Sequence, residues 1–291
     1  MTAPARKLRD LLAGSEPVIA PGVYDGLTAL LVAQTGFECA YLSGASIAFT
    51  RLGRPDIGLT TMSEVANTIE NIRDRVEIPL IVDGDTGFGN ALNVQRTVRL
   101  FERAGAAAIQ LEDQTMPKRC GHLAGKALVP VAEMVGKIRA AQDARASDAT
   151  AIIARTDAIA VSGIEPALER AAAYVDAGAD VLFVESPRDD AELARVGKAL
   201  GDRVPLLANM VEGGKTPLHS AAELGRLGYR LVIFPGAMVR VLSRAATLYL
   251  QELRRAGTTA GMLDRMFDFN EVNDIIGTAA LLDEARQYDP E

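Results

Sequence analysis

Residues 79–85 read PLIVDGD, a short run of branched apolar residues that ends in two aspartates on either side of a glycine. Because the run is continuously apolar rather than alternating, it predicts a strand that is buried on both faces of a sheet. Seven further runs of this kind occur along the chain, each followed by a stretch of helical length. They are PVIAPG (17–22), CAYLSG (39–44), AAIQLED (107–113), TAIIARTD (150–157), DVLFVES (180–186), PLLANM (205–210) and LVIFPG (231–236).

The alternation of apolar runs and amphipathic segments predicts the α/β fold class, and eight units predict a closed (β/α)8 barrel, the TIM barrel. Three of the segments end in glycines typical of helix C-caps, Gly105, Gly178 and Gly228. An open doubly wound sheet is the alternative. It would need a glycine-rich phosphate loop after the first strand, and PGVYDG (21–26) does not have that pattern.

The chain continues beyond the eighth run with two predicted helices, near 237–256 and 261–288. We therefore expect a barrel over residues 1–240 and a C-terminal helical extension over residues 241–291 that belongs to the same domain. A barrel does not need this much additional helix, so we expect the tail to pack against a neighbouring subunit. The alternative is that the tail caps its own barrel.

The composition argues against several classes of protein. The net charge is −7, from 31 basic and 38 acidic residues, and no basic stripe typical of a nucleic-acid surface is visible. No apolar run approaches the roughly 18 residues that a membrane span needs. The first residues lack the apolar core of a secretory signal, and two cysteines do not make a disulfide framework. We expect a cytoplasmic enzyme with a reduced thiol and no nucleic-acid or membrane partner.

Polar side chains follow the apolar runs at the ends where a barrel carries its chemistry. Charged groups are seldom buried unless they are paired or bound to a metal. Six consecutive runs carrying such groups therefore predict an active site at one rim. The groups are Tyr41 and Ser43, Asp83 and Asp85, Glu112, Arg155, Glu185 and Asn209, in the order of the runs.

The carboxylates at this rim predict a cation site. Asp83, Asp85 and Glu112 follow adjacent strands, and Asp56 can join them from the loop LGRPDIG (52–58). Such a cluster would repel itself without a cation, and Mg²⁺ or, as the alternative, Mn²⁺ suits hard oxygen ligands. Zinc is disfavoured because the chain has only two histidines. For Asp56 and Asp85 an ordinary turn-forming role stays open.

The stretch PKRCGH (117–122) lies in a long loop, from about 113 to 129, which we interpret as a lid over the rim. Lys118 and Arg119 directly precede Cys120 and would favour its thiolate, so the thiol is a candidate for proton transfer. The alternative is an incidental surface cysteine. None of the six lysines lies in a predicted strand, which disfavours Schiff-base chemistry and favours metal assistance if a carbon–carbon bond is cut.

Five motifs together resemble the isocitrate lyase/phosphoenolpyruvate mutase superfamily, and the similarity extends from about residue 7 to 255. They are PKRCGH, VDGDTGFGN (82–90), IQLEDQ (109–114), IIARTDA (152–158) and ANMVEGGKTP (208–217). The resemblance implies a (β/α)8 barrel whose C-terminal helix is swapped between subunits, assembled as a dimer of dimers, which is a homotetramer. It also implies a Mg²⁺ cofactor and a small di- or tricarboxylate substrate.

The resemblance also implies roles for individual residues. Asp83 would ligate Mg²⁺ directly, while its water ligands would be held by Asp56, Asp85 and Glu112. The carboxylate of a 2-oxo acid would be bound by Ser43, Gly44 and Ala45. Arg155 would contact the reacting oxygens, and the remaining substrate site would be lined by Gly121, His122, Glu185 and Asn209. Cys120 would be the catalytic acid of the lid, with Tyr41 as a candidate base.

The cysteine in the lid favours a lyase, because retro-aldol cleavage leaves a carbanion-like fragment that needs a proton. The predicted reaction is cleavage of a substituted 2-hydroxydicarboxylate, of the 2,3-dimethylmalate or 2-methylisocitrate type, to a 2-oxo acid and a carboxylic acid. Leu123 and VEGG (211–214) resemble the dimethylmalate type more than the methylisocitrate type. The alternatives are a phosphonomutase of the carboxyphosphonoenolpyruvate mutase type and an oxaloacetate-cleaving enzyme.

Overall fold

The computed structural model of the protein describes residues 2–121 and 123–288. Eight parallel strands form a closed barrel in the order of the chain, as predicted from the apolar runs. The strands are β1 (Val18–Val23), β2 (Ala40–Leu42), β3 (Leu80–Asp83), β4 (Ala108–Glu112), β5 (Ala151–Thr156), β6 (Val181–Val184), β7 (Leu206–Asn209) and β8 (Tyr229–Phe234). The last strand begins before the predicted residue 231, directly after Gly228, whose φ is +96°.

Helices follow the strands and surround the barrel. Those up to the end of β8 are α1 (Thr2–Ala13), α2 (Gly26–Gln34), α3 (Gly44–Ile47), α4 (Met62–Arg73), α5 (Ala91–Ala104), α6 (Val131–Ala144), α7 (Ala158–Ser162), α8 (Ile164–Asp176), α9 (Asp190–Leu200) and α10 (Ala221–Arg226). A π-helical turn, Ala48–Leu52, extends α3. Gly105 and Gly178 also have positive φ, at +108° and +103°, as expected of glycines at helix C-termini.

Helix α1 packs at the end of the barrel where the strands begin. Its Leu8 and Leu12 belong to the same buried cluster as Val18, which starts β1. Arg9 donates from Nε to the carbonyl of Ala149 at 2.9 Å, just before β5. Because this end is filled by apolar side chains, the open end that can hold a substrate is the one where the strands finish.

The chain divides into two compact units, Met1–Ala237 and Met238–Glu291. The C-terminal unit contains most of α11 (Ala237–Ala256), a 3₁₀ turn (Ala260–Arg265), α12 (Phe269–Ile276) and α13 (Thr278–Arg286). The single helix predicted near 261–288 is therefore wrong. Asp268 caps a new helix at Phe269, and Gly277, with φ of +77°, interrupts it before Thr278.

Hydropathy along the helices bears on membrane insertion. Over residues 2–121 and 123–288, every helix is too short or too polar to pass through a bilayer.

Two helical glycines provide a matched test of barrel packing. A Cβ at Gly197 in α9 would lie 1.7 Å from the carbonyl oxygen of Leu227, whereas a Cβ at Gly136 in α6 would meet nothing within 4 Å. We expect Gly197→Ala to lower the free energy of unfolding by about 1–3 kcal/mol through overpacking. We expect Gly136→Ala to raise it by up to about 1 kcal/mol, since alanine is the better helix former. Urea unfolding of both variants checks this, and equal effects would contradict the described packing.

Candidate active site

The strand register brings the predicted polar residues to one rim. Asp83 pairs with Gln110 across β3 and β4, and Glu112 pairs with Arg155 across β4 and β5. Most of the predicted side chains at this rim are at least nine-tenths buried: Tyr41, Ser43, Asp56, Asp83, Asp85, Glu112, Arg155 and Glu185. Ala45, Cys120 and Asn209 are partly exposed. A buried group of this polarity needs internal partners or a bound ion.

The ends of β2 and β3 meet at the carboxylates. Asp83 accepts hydrogen bonds at Oδ1 from the backbone N–H of Asp85 at 3.1 Å and from the amide of Gln110 at 3.2 Å. A Cβ at Gly44 would lie 3.2 Å from Asp83 Oδ2 and 3.5 Å from Asp85 Oδ1. Asp85 has a φ of +47°, a strained conformation for a residue other than glycine. The strain turns its carboxylate towards Gly44.

Lys118 of the lid reaches into this carboxylate cluster. Its Nζ lies 2.5 Å from Asp56 Oδ1 and 2.7 Å from Asp85 Oδ1, and the residue is 3% exposed. Arg119 instead donates from Nη1 to the carbonyl of Ala124 at 2.9 Å. The favouring of the Cys120 thiolate by these two cations stays a prediction, while the Nζ of Lys118 is paired with two buried carboxylates, which attract an ammonium strongly.

The carboxylates carry more negative charge than their neighbours offset. Burial raises the pKa of Asp85 to about 6, with Lys118 lowering it and Asp83 raising it. Burial also raises the pKa of Glu112 well above its ordinary value, although Arg155 lowers it. The Oε1 atom of Glu112 has no hydrogen-bond partner among the described residues. These are the features of a group that a cation would stabilise in its ionised form.

The donor set fits magnesium, because it consists of carboxylate oxygens, and two of these buried oxygens, Asp85 Oδ1 and Glu112 Oε1, have no hydrogen-bond partner among the described residues, the ion pair of Asp85 with Lys118 aside. Within residues 2–121 and 123–288, no three or more histidine, cysteine, aspartate or glutamate side chains are grouped to hold one ion. Mg²⁺ typically takes one or two carboxylates and keeps several water molecules, so a tight cage is not required. The arrangement suits one direct ligand with the other carboxylates further away.

Arg155 stands at the centre of the rim. The guanidinium donates two hydrogen bonds to Asp157, from Nε to Oδ2 at 2.9 Å and from Nη2 to Oδ1 at 3.0 Å. Its Nη1 lies 3.3 Å from Glu112 Oε2, and its Nη2 lies 3.5 Å from Glu185 Oε2. The guanidinium also lies 5.0 Å from the ring centroid of Phe183. These contacts fix its plane, which suits recognition of a planar carboxylate.

Glu185 is held by two polar neighbours. Ser186 donates to its Oε1 at 2.7 Å, and the amide of Asn209 donates to its Oε2 at 3.1 Å. Ser186 has a φ of +57°, so the backbone is strained at this point of the rim. Sequence reasoning missed Ser186 because a serine after a strand is an ordinary residue of a turn.

Tyr41 is connected to the carboxylates through Gln110. The phenol donates to Gln110 Oε1 at 2.8 Å, and the amide of the same glutamine donates to Asp83. Burial raises the pKa of Tyr41 well above its ordinary value, and Asp83 adds to the effect while Arg155 opposes it. Sequence reasoning also missed Gln110, although a polar residue inside the apolar run AAIQLED was a usable signal.

The lid is folded against the rim. Thr115 donates from its backbone to the carbonyl of Ala127 at 2.9 Å, which closes the base of the loop. The side chain of Gln114 donates to Arg119 O at 2.8 Å and accepts from Arg119 N at 2.9 Å. The backbone N–H of Cys120 donates to Asp56 O at 3.2 Å. The predicted long loop over the rim is therefore present and docked.

Gly121 marks the closest approach of the lid to the site. A Cβ at this position would lie 2.6 Å from Arg155 Nη2 and 2.7 Å from Glu185 Cδ, so only glycine fits. Its neighbour Cys120 is partly exposed. The predicted substrate residue His122 lies outside the described residues.

The other cysteine and the other histidine of the chain lie away from the contacts of the rim. Cys39 is fully buried, and burial raises the pKa of its thiol to about 12. His219 is bound to Asp190, with Nε2 at 2.8 Å from Oδ1. Neither residue belongs to the contacts described at the rim.

Known proteins similar to this chain include several enzymes. The 2,3-dimethylmalate lyase of Eubacterium barkeri is 45% identical over 284 residues, which cover 98% of this chain and 98% of that enzyme. The 2-methylisocitrate lyase of Aeropyrum pernix is 50% identical over 277 residues, which cover 94% of this chain and 87% of that enzyme. Both similarities include the barrel and the lid.

Solved structures also resemble this chain over nearly its full length. A structure of oxaloacetate acetylhydrolase with the inhibitor 3,3-difluorooxalacetate has a TM-score of 0.93 and 36% identity, covering 98% of this chain and 97% of that one. A structure of phosphonopyruvate hydrolase with oxalate and Mg²⁺ has a TM-score of 0.88 and 30% identity, covering 98% and 99%.

The family relationship follows from these similarities together with the rim and lid described above. The sequence model of the phosphoenolpyruvate phosphomutase family matches residues 8–254, which include all eight strands. A relative named 2,3-dimethylmalate lyase is described as a member of the PEP mutase/isocitrate lyase superfamily. The chain therefore belongs to the phosphoenolpyruvate phosphomutase family, within the isocitrate lyase/phosphoenolpyruvate mutase superfamily.

Proposed function

We propose that the chain is a magnesium-dependent carbon–carbon lyase of 2-hydroxydicarboxylates. Its substrate would be of the 2,3-dimethylmalate or 2-methylisocitrate type, and its products a 2-oxo acid such as pyruvate and a carboxylic acid. The observation that carries the proposal is the close approach of the lid at Gly121 to Arg155 and Glu185, at a rim of buried carboxylates, with Cys120 as the preceding residue of the lid. The named activities of two relatives belong to the same class of reaction.

Asp83 is proposed as the direct magnesium ligand, with Asp56, Asp85 and Glu112 holding the water molecules around the ion. The chemistry that magnesium supplies when bound is Lewis-acid polarisation of substrate oxygens. The unpartnered Oε1 of Glu112 supports this assignment. The phosphonopyruvate hydrolase structure that resembles this chain contains Mg²⁺ and oxalate.

Substrate binding is proposed to use both sides of the rim. The backbone N–H groups of Gly44 and Ala45 start α3, where they have no intrahelical partner, and they would bind the carboxylate next to the reacting carbon. Ser43 caps this helix by accepting from Ser46 N at 3.2 Å, which fixes the turn. Arg155 would bind the 2-hydroxyl oxygen. Gly121, His122, Glu185 and Asn209 would line the other half of the pocket.

Bond cleavage is proposed to proceed as a retro-aldol reaction. A base removes the proton of the 2-hydroxyl, the C2–C3 bond breaks, and C2 becomes the carbonyl carbon of the 2-oxo acid. The electron pair of the broken bond passes to the other fragment, which forms an aci-carboxylate. Cys120 then donates the proton of its thiol to C3 of that fragment. The lid excludes water, so the proton comes from one defined donor.

Tyr41 is the proposed base, but its surroundings constrain that role. Its raised pKa keeps the phenol protonated at neutral pH, and its present acceptor is the amide oxygen of Gln110. The positive charge of Arg155 lowers the pKa of Tyr41 and so opposes the effect of burial. If Tyr41→Phe keeps the rise in rate with increasing pH that deprotonation of a general base produces, the base is another group.

Leu123 supports a dicarboxylate rather than a tricarboxylate substrate. A third carboxylate needs a cation or several donors, and Leu123 offers an apolar side chain that is 46% exposed. The cleft beside it is largely apolar, with Ile57, Leu59 and Pro117 in its lining, although Lys118 and Arg119 also line it. Among the candidate acids we therefore favour 2,3-dimethylmalate over 2-methylisocitrate.

We also propose an oligomeric state and a cellular location for the chain. Within the C-terminal unit, large apolar side chains are exposed, among them Leu263, Phe267, Phe269, Leu281 and Leu282. This supports a homotetramer in which the tail packs against a neighbouring subunit, a state that light scattering of the purified protein would measure. The acids named above are metabolites of small size, which suits a cytoplasmic enzyme.

The test is a screen of the purified chain with MgCl₂ and separately with EDTA. The acids are 2,3-dimethylmalate, 2-methylisocitrate, oxaloacetate and phosphonopyruvate, with release of 2-oxo acid or oxalate followed and phosphorus NMR used for the last. We expect turnover of 2,3-dimethylmalate that is lost in EDTA. Turnover of phosphonopyruvate alone would overturn the proposal. Turnover of oxaloacetate alone would favour the activity named for the structurally similar oxaloacetate acetylhydrolase.

A further inference from the structure

Lys126 is a buried cation of the lid that the proposed reaction does not use. Its side chain is 1% exposed, and that of its partner Asp157 is fully buried. The Nζ atom lies 2.8 Å from Asp157 Oδ1 and also donates to the carbonyl of Gly121. One ammonium therefore contacts both the lid turn and a carboxylate at the end of β5.

Asp157 connects this lysine to the centre of the site. The same carboxylate receives the bidentate contact of Arg155, so Lys126 and Arg155 are its two cationic partners. Burial by itself would raise the pKa of Asp157, but Arg155 and Lys126 bring it below its ordinary value. The carboxylate is therefore ionised and shared between the lid and the arginine.

The position of Gly121 depends on these contacts. Gly121 lies against Arg155 and Glu185, and Ser186 Oγ approaches its carbonyl at 3.4 Å. The bond from Lys126 is charge-assisted and buried, which makes it the stronger of the two contacts to that carbonyl. Without the ammonium, the carbonyl would keep only the longer contact, and Asp157 would lose one of its two cations.

We propose that Lys126 is a positioning residue that holds Cys120 and Gly121 over the rim by tying the lid to the Asp157–Arg155 pair. It acts through Gly121 and Asp157 and does not touch the reacting atoms. The proposal rests on the proposed lyase function only for its kinetic readout. The position of the lid can be measured without any substrate.

The first test is alkylation of Cys120 by iodoacetamide, followed by peptide mass spectrometry, in the full-length protein. Cys39 serves as the internal reference because it is fully buried. In Lys126→Met we expect Cys120 to react about 10-fold faster or more, because one charge-assisted contact that keeps the lid closed is lost. Lys126→Arg should restore slow alkylation in part. Lys198→Met, which removes an exposed lysine of α9, should match the wild type.

Melting temperatures separate a loose lid from a misfolded protein. If Lys126→Met alkylates at the wild-type rate with a wild-type melting temperature, the proposal is wrong. If that variant does not fold, Lys126→Gln, which keeps a donor but not the charge, gives the same comparison. Equal rates in a folded Lys126→Gln protein would also overturn the proposal.

Kinetics give an independent readout once a substrate is known. Lys126→Met should lower kcat by about 10²-fold with KM changed much less, since misplacement of a catalytic group affects the chemical step. A wild-type protein that turns over none of the screened acids would refute the proposed function. The alkylation result would still decide the role of Lys126.

Discussion

Cys120→Ser should lower kcat for carbon–carbon cleavage by about 10²–10⁴-fold, with KM changed only slightly, because general acid catalysis contributes this much. A serine hydroxyl has nearly the size of the thiol but is a far weaker acid. The backbone contact of residue 120 with Asp56 O, at 3.2 Å, does not involve the side chain, so the lid should keep its position. Steady-state release of the 2-oxo acid measures the effect.

The matched control for this variant is Cys39→Ala, the other cysteine of the chain. Cys39 is fully buried in the barrel core and should affect stability rather than chemistry. We expect wild-type kcat and a loss of about 1 kcal/mol in unfolding free energy, the size typical of a small cavity. Full lyase turnover in Cys120→Ser would show that the lid thiol is not the proton donor.

Asp83→Asn should abolish magnesium-dependent turnover, with a loss of about 10³-fold or more, because the proposed direct ligand loses its charge. Several kcal/mol of transition-state stabilisation depend on a Lewis acid at such a site. The asparagine oxygen can still accept from Asp85 N and from Gln110, so the loop should keep its geometry. Turnover measured against MgCl₂ concentration checks the prediction.

Thermal unfolding with MnCl₂ provides a readout that does not need activity. The wild-type melting temperature should rise with the metal, because an ion that binds only the folded state stabilises it. The melting temperature of Asp83→Asn should not respond. Without metal this variant should be at least as stable as the wild type, because Asp83 raises the pKa of Asp85 through repulsion between the two buried carboxylates.

Asp85→Asn is the comparison that tests the assignment of the direct ligand. A residue that only holds water around the ion typically costs 10- to 100-fold in metal affinity, so we expect a response of about that size. Equal losses in both variants would show that Asp83 has no special position. A full response of Asp83→Asn to MnCl₂ would place the cation elsewhere.

The residues that follow the strands were predictable because a barrel exposes the carboxyl ends of all its strands at one rim. The register confirms that Asp83, Glu112 and Arg155 lie on neighbouring strands. Gln110 and Ser186 were not predicted. Gln110 acts through Asp83 on the neighbouring strand, and Ser186 acts through the adjacent Glu185; which way these side chains turn is decided by the folded chain.

The charged residues of the lid show the same limit to prediction from the sequence. In the sequence, Lys118 and Arg119 directly precede Cys120, which suggested that both favour its thiolate. In the folded chain Lys118 is paired with Asp56 and Asp85, because buried carboxylates outweigh a partly exposed neighbour. The closeness of Lys118 to Cys120 in the chain therefore did not decide which groups the lysine side chain contacts.

The amino-acid sequence by itself determined the barrel, the rim that carries the polar groups and the long loop above it. These depend on local apolar periodicity and on glycines at helix ends, which act over a few residues of the chain. Only the tertiary structure decided the pairing of charges, such as Lys118 with Asp56 across 62 residues and Lys126 with Asp157 across 31. The physical reason is that closure of the barrel brings these groups into one dry space, where each charge takes the nearest opposite charge regardless of its distance along the chain.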